Sequence, residues 1–422
     1  MKVLQIHERD LGPSKDCDLD PQQAVCSSRG GGLAVYLAQM INGLRQRGEQ
    51  VSVVEFDPGC RLPVDLGHRY HRLKAFRFRF ARSTVSAFWR IVEKENPDLV
   101  HLHSVYHELN PLLLRRLARR RPVIWTLHDV KPLCFWGTKL HPDNRLCGRP
   151  VGLGCLTCGC YRIGAKNPVA KDLIRVLGNP FYQRMYRRLP AMIVPSGYLK
   201  TVLVTNGFRE DRIQVMPLFS RFGGCDDSLP TEPSIVKILF VGRLDHKKGV
   251  QELIAALSFL SGKKWEAVVA GDGVLLDAAR AQAAECGLDG RVTFVPPPSV
   301  EALKEHYRSC SFVVFPSLIA EAFGLVGVEA MSFGKPVVAF EAGGVTQWLE
   351  DGVNGLLARH GDVRHLAQQV DRLIDDGRLL AALGLNARRQ IRERFTLDHH
   401  LDRLTKAYRD VADAFGKAHD RL

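Results

Sequence analysis

No stretch of this 422-residue chain reaches the ~18 uninterrupted apolar residues of a membrane-spanning helix, although 45% of the residues are hydrophobic. The opening, MKVLQIHERD, lacks an apolar core ahead of its first charges, which argues against a secretory leader and for a cytoplasmic protein, soluble or held at a membrane surface. No internal repeat and no low-complexity tract is present, which excludes solenoids and arrays. Acidic residues are scarce in one half only. Residues 1 to 232 hold 21 Asp and Glu against 35 Lys and Arg, and residues 233 to 422 hold 24 of each, so the whole net charge of +14 lies in the first half. Much of it is in HRYHRLKAFRFRFAR (68 to 82) and LLLRRLARRR (112 to 121). There arginines interleave with Phe and Leu, a composition that suits an anionic membrane surface or nucleic acid, or a plain solvated face.

A chain this long exceeds a single ordinary core, so two domains are expected. Short β-rich runs alternate with longer helical patterns, which points to an α/β protein with parallel sheets covered by helices. VLQIH, VSVVEF, LVHLH, VIWTLHD, AMIVPS and IQVMP read as strands of a first domain, residues 1 to 217. The pattern restarts with VKILFVGR, WEAVVAGDG, VTFV, FVVFPS and PVVAF in a second, residues 236 to 395. The Gly-, Pro-, Ser- and Asp-rich stretch at 218 to 235 reads as the linker. Residues 396 to 422 contain LDHHLDRLTKAYRDVADAF (397 to 415), an amphipathic helix followed by no strand, which is expected to cross back to the first domain. In such open sheets ligands sit beyond the carboxyl ends of the strands, here in a cleft between two domains.

Two segments of the second half carry chemistry. In Gly242-Arg243-Leu244-Asp245-His246-Lys247-Lys248-Gly249 a strand ends, two cations stand five residues apart and a helix begins. Helix amides together with Arg and Lys charges are what a phosphate needs. In SLIAEAFGLVGVEAMSFGKPVV, Glu321 falls in a turn and Glu329 inside the following helix. Ala322, Gly324 and Gly327 are small enough to let a ligand approach the backbone. A carboxylate accepts paired hydrogen bonds from vicinal hydroxyls, so one glutamate suits a ribose diol and the other a sugar, both turned toward one mouth with a diphosphate between them. Gly343-Gly344 after PVVAF opens a further bare turn.

GR-x4-KG, E-x7-E and a later GG before DG-x2-GLL together resemble the retaining GT-B glycosyltransferases of the family 4, or group 1, type. The resemblance covers nearly the whole chain and is densest over residues 236 to 358. It implies two Rossmann-like doubly wound domains facing across a cleft, and transfer of a sugar from a nucleotide-sugar to a glycan or lipid-linked acceptor with retention of anomeric configuration. By this resemblance Arg243 and Lys248 bind the donor diphosphate, Glu329 the ribose diol and Glu321 the transferred sugar. Gly242 and the backbone of Ala322, Phe323, Gly324 and Leu325 complete the donor contacts. Gly31 and Gly32 resemble the glycine-rich turn before the first helix, and His128 in WTLHD resembles the histidine placed near the donor sugar. The chain departs from many relatives in having Pro217-Leu218-Phe219 where an Asn-Gly turn is common, and Gln347 where Glu is frequent.

The implied chemistry needs no metal cofactor, because Arg243, Lys248 and helix amides can stabilise the departing diphosphate. His128 would hydrogen-bond the sugar or assist proton movement. Five of eleven cysteines crowd into the insert at 130 to 165. Cys155 and Cys158 have knuckle spacing, and Cys134 and Cys147 could complete a structural zinc site; reduced free thiols and a redox role remain the other readings. Cell-surface polysaccharide synthesis at the inner membrane face is the expected setting. The competing function is a basic, cysteine-knuckle nucleic-acid-binding protein, which leaves the two glutamates without a purpose, so no nucleic-acid partner is expected. A phosphorylase of the same fold would need a cofactor-bearing lysine motif that the chain does not show.

Overall fold

The computed structural model describes residues 1–8, 32–56, 69–73, 82–103, 111–134, 137–156, 158, 183–223, 235–260 and 262–419. The first sheet contains β1 (Lys2–Glu8), β2 (Gln50–Phe56), β3 (Tyr70–Leu73), β4 (Leu99–His103), β5 (Val123–Thr126), β6 (Ala191–Val194) and β7 (Ile213–Val215). Their order is β3-β2-β1-β4-β5-β6-β7, parallel throughout. Runs such as LVHLH and VIWT are buried at every position, as strands covered on both faces must be. The covering helices include α1 (Gly32–Gln46), α2 (Arg82–Glu95), α3 (Pro111–Arg120) and α4 (Gly197–Thr205).

The second sheet contains β8 (Val236–Val241), β9 (Trp265–Ala270), β10 (Val292–Val295), β11 (Phe312–Phe315), β12 (Val337–Phe340) and β13 (Gly355–Ala358) in the order β10-β9-β8-β11-β12-β13. Around it lie α5 (Val250–Leu257), α6 (Leu276–Glu285), α7 (Val300–Ser309), α8 (Leu325–Ser332), α9 (Val363–Asp375) and α10 (Gly377–Arg394). Both orders reverse direction once, at β1/β4 and at β8/β11, and such a reversal opens a crevice at the strands' carboxyl ends.

The last helix, α11 (Leu397–His419), returns to the first sheet. Leu401, Leu404 and Tyr408 bury in one apolar cluster with Val3, Met40 and Ile41, and Arg47, just after α1, pairs with Asp398 at 2.9 Å and Asp402 at 2.6 Å. Residues 218 to 223 pack rather than dangle. Leu218, Phe219 and Phe222 are buried, and the Ser220 N–H donates to the Phe395 carbonyl at 3.0 Å; the rest of the expected linker, to residue 234, lies outside the described residues.

Two strands are absent from the sequence reading. β13 is four residues long, and β3 lies within the basic stretch 68 to 82. As an edge strand β3 pairs on one side only, which tolerates charge. Its Tyr70 hydroxyl donates to Glu55 at 2.5 Å and His71 Nε2 meets Glu95 at 2.8 Å, so this part of the stretch turns toward the protein. The other basic stretch lies largely on α3. Leu113, Leu114 and Leu117 face the core, while Arg116 and Arg120 stack on Trp89 at 4.7 and 5.3 Å.

Candidate active site

β8 delivers Gly242 and Arg243 to the carboxyl edge of the second sheet. The Arg243 guanidinium is 56% exposed, with Asp245 3.6 Å away. Asp245 caps the following single turn, its Oδ1 accepting from the backbone N–H groups of Lys247 and Lys248 at 3.0 and 3.2 Å. Gly249 ends that turn in the left-handed region (φ 73°), where a side chain would also collide with the Pro316 carbonyl. This close approach sets Lys248 beside the end of β11. Lys248 Nζ donates to Glu321 Oε1 at 2.6 Å, and Ser317 Oγ donates to the same oxygen at 2.6 Å. The sequence-predicted cation and carboxylate, 73 residues apart, therefore form one ion pair.

The turn from Glu321 to Leu325 is held by backbone. The Gly344 N–H donates to the Glu321 carbonyl at 2.6 Å, and a side chain at Gly343 or Gly344 would strike the Ala320–Ala322 backbone. The double glycine thus lets two chain segments meet. Gly324 has φ 94° between the Phe315 and Trp348 rings. Gly327 corrects the expectation that it admits ligand: its missing side chain makes room for the buried Trp348 indole, which donates through Nε1 to the Phe323 carbonyl at 2.6 Å.

The first domain reaches this turn from two directions. Ser196 Oγ donates to the Ala322 carbonyl at 2.7 Å, and the Gly197 N–H donates to Gln347 Oε1 at 2.9 Å. Gly32, the first residue of α1, lies against Leu325, the first of α8, so closely that an added methyl would come within 2.8 Å of the leucine. Gly31 lies outside the described residues.

Glu329, inside α8, is only 5% exposed and already has partners. Arg221 Nε stands 2.9 Å from Oε1, Arg221 Nη2 donates to Oε2 at 3.2 Å, and the Tyr307 hydroxyl donates to Oε2 at 3.1 Å. Helical spacing sets the direction of Glu329 but cannot show what meets it, and Arg221 comes from 108 residues away.

His128 follows β5 at the carboxyl edge of the first sheet, its ring 5.5 Å from that of Tyr36 on α1. His128 Nε2 is 3.0 Å from His103 Nδ1, and His103 Nε2 is 2.7 Å from Gln5 Oε1. Burial, reinforced by nearby His400, pushes the His128 pKa down to about 3. The ring is therefore neutral near pH 7, suited to hydrogen bonding rather than to taking up a proton. Gln5 and His103 escaped the sequence reading because alternating polar residues in a β-run resemble ordinary strand patterning.

Cys134, Cys147, Cys155 and Cys158 are all half-buried. Burial raises the Cys155 pKa, and Cys158, Cys134 and Cys147 add to the effect, so the four thiols are neighbours. The Lys139 N–H donates to Cys134 Sγ at 3.4 Å. Among the described residues, however, no three His, Cys, Asp or Glu side chains converge as metal ligands.

Two parallel, singly reversing sheets, with a cation–carboxylate pair at the edge of one and a neutral histidine at the edge of the other, have the layout of the GT-B fold. Residues 30–219 match the family described as Glycosyltransferase Family 4, and residues 229–390 match Glycosyl transferases group 1. An uncharacterized glycosyltransferase of Methanocaldococcus jannaschii is 31% identical over 92% of this chain and 96% of its own length. The chain belongs to the group 1, family 4 glycosyltransferases. The D-inositol 3-phosphate glycosyltransferase of Mycolicibacterium smegmatis is 35% identical, over 46% of this chain and 44% of that protein. In fold the chain is similar to the Anabaena protein HepE, crystallised with UDP, at a TM-score of 0.68 and 21% identity, covering 97% of this chain and all of that one. Sucrose-phosphate synthase of Thermosynechococcus elongatus gives 0.69 and 20%, covering 98% and 99%. The family sets aside the nucleic-acid-binding alternative. Among the described residues no helix is long and apolar enough to cross a membrane.

Proposed function

We propose that this glycosyltransferase takes its sugar from a nucleoside diphosphate donor and passes it, with retention of anomeric configuration, to a glycan or lipid-linked acceptor in cell-surface polysaccharide synthesis. The Lys248–Glu321 pair at 2.6 Å carries the reading. It joins a phosphate-binding charge to a hydroxyl-binding carboxylate, the two ends of a nucleotide-sugar's reactive bond. As that bond breaks, negative charge grows on the leaving diphosphate, where Lys248 and the exposed Arg243 stabilise it, while Glu321 orients the sugar through its hydroxyls. His128 contributes a hydrogen bond from the opposite sheet. A ribose diol would take Glu329 from Arg221, since a carboxylate accepts two hydroxyls much as it accepts two guanidinium N–H groups. The arginine face of α3 would hold the enzyme at anionic lipid on the inner membrane face, near its acceptor. The cysteine loop enters only as structure, and elemental analysis of the purified protein decides between metal-held and free thiols.

The test is nucleoside diphosphate release from a panel of UDP-, GDP- and ADP-sugars, with NMR of the product for its anomeric configuration. Arg243→Ala and Lys248→Ala should each abolish turnover without lowering the melting temperature by more than a few degrees. Full activity in either variant defeats the diphosphate assignment, and an inverted product defeats retention. Vesicle binding that does not weaken with salt defeats the lipid contact.

A further inference from the structure

The histidine at the edge of the first sheet ends a longer chain of buried polar groups. Gln5 Nε2 donates to the Tyr408 hydroxyl at 3.0 Å; that hydroxyl is 2.7 Å from His101 Nδ1, and His101 Nε2 is 2.6 Å from Thr126 Oγ1. On the other side Gln5 Oε1 faces His103 Nε2 at 2.7 Å, and His103 Nδ1 faces His128 Nε2 at 3.0 Å. A neutral imidazole carries one N–H and one lone pair, so the direction of one bond fixes the next. Burial depresses the pKa values of His101, His103 and His128 alike, which keeps all three rings neutral.

Gln5 is the one member of this chain whose ends cannot exchange roles, because an amide oxygen only accepts and an amide nitrogen only donates. With its oxygen toward His103, His103 must donate from Nε2 and accept at Nδ1. His128 must then donate from Nε2, which leaves a lone pair on Nδ1. That atom is enclosed and makes no hydrogen bond within the described residues. A buried, unmatched acceptor is costly unless something fills it. Running the other way, Tyr408 donates to His101 and His101 to Thr126, so five bonds point in a single direction. Turning the amide over would reverse all five and put a hydrogen on His128 Nδ1.

We propose that Gln5 and His103 are positioning residues that set the tautomer of His128, so that its Nδ1 meets the donor sugar as a hydrogen-bond acceptor. This rests on the reading that His128 faces the sugar. Neither Gln5 nor His103 touches substrate; each acts through His128. A hydroxyl of the sugar donates to Nδ1, and a His128 carrying its hydrogen there would meet that hydroxyl with the wrong partner, at a loss of about 10- to 100-fold in rate.

The experiment uses the full chain labelled with 15N-histidine, the His128 signals being assigned by their loss in His128→Gln. Long-range 15N–1H correlation shows which ring nitrogen bears hydrogen, and nucleoside diphosphate release from UDP-glucose, GDP-mannose and ADP-glucose gives kcat and KM. Expected are hydrogen on Nε2 in the wild type, and in Gln5→Leu a shift toward Nδ1 with kcat down about 10- to 100-fold and donor KM changed by less than about threefold. Gln5→Glu, whose carboxylate accepts from His103 as the amide oxygen does, should restore the Nε2 tautomer and most of the lost rate. Hydrogen on Nδ1 in the wild type overturns the inference, and so does a Gln5→Leu enzyme that folds and keeps its kcat. Should Gln5→Leu fail to fold, the wild-type tautomer and the Gln5→Glu enzyme still decide. Full activity in His128→Ala overturns instead the reading that this ring meets the sugar, while the tautomer measurement continues to judge the hydrogen-bond chain.

Discussion

Acidification from about pH 7 to about pH 5 should cost this protein a large part of its stability, before most of its carboxylates titrate. Four buried histidines have pKa values below the ordinary 6.5: His101 and His103 well below, His128 at about 3 and His400 at about 4, each chiefly through burial. For such a group the unfolded chain takes up the proton first. Its stabilising contribution is complete above about pH 7, erodes as pH falls through 6.5, and is exhausted below the folded value. Over this interval His128 and His400 each cost about 2 kcal/mol, and His101 and His103 act in the same direction, against a typical total of about 5 to 15 kcal/mol. Glu252, whose pKa burial raises, works in the opposite direction but is a single, partly buried group. Urea unfolding at pH 7, 6 and 5, followed by circular dichroism, measures the slope. Equal midpoints across the three, or a decline that begins only below about pH 4, would refute the neutral histidine cluster and point to carboxylates instead.

Arg221→Ala strands the Glu329 carboxylate in a buried position with Tyr307 as its remaining partner. A loss of about 3 to 5 kcal/mol is expected in chemical unfolding, most of it recovered in the Arg221→Ala/Glu329→Gln double variant; additive losses would mean the pair does not interact. Gly327→Ala forces a methyl into the Trp348 ring and should cost about 1 to 3 kcal/mol, seen as a lower melting temperature and altered Trp fluorescence. An unchanged melting temperature would contradict that packing.

The strands VLQIH, LVHLH and VKILFVGR were legible because a strand buried on both faces reads as a short, nearly unbroken apolar run. β3 and β13 were not, since four residues at or near a sheet edge leave too short a pattern. At the site, residue types and local turns could be read, which brought Lys248 and Glu321 forward as a cation and a carboxylate with one purpose. What could not be read was pairing over distance. Arg221 lies 108 positions from Glu329, and Gln5 lies 98 from His103; no periodicity connects either pair. Gly327 shows the same limit from the other side, because the sequence marks the need for a small residue but not the indole that imposes it.

The return of α11 to the opening strands gives the molecule an unusual order of assembly. Gln5 finds its partner Tyr408 only some four hundred residues further along the chain. The first lobe therefore cannot reach its finished state, whatever the speed of its own strands, and must wait as an incomplete body until α11 has been made to close it.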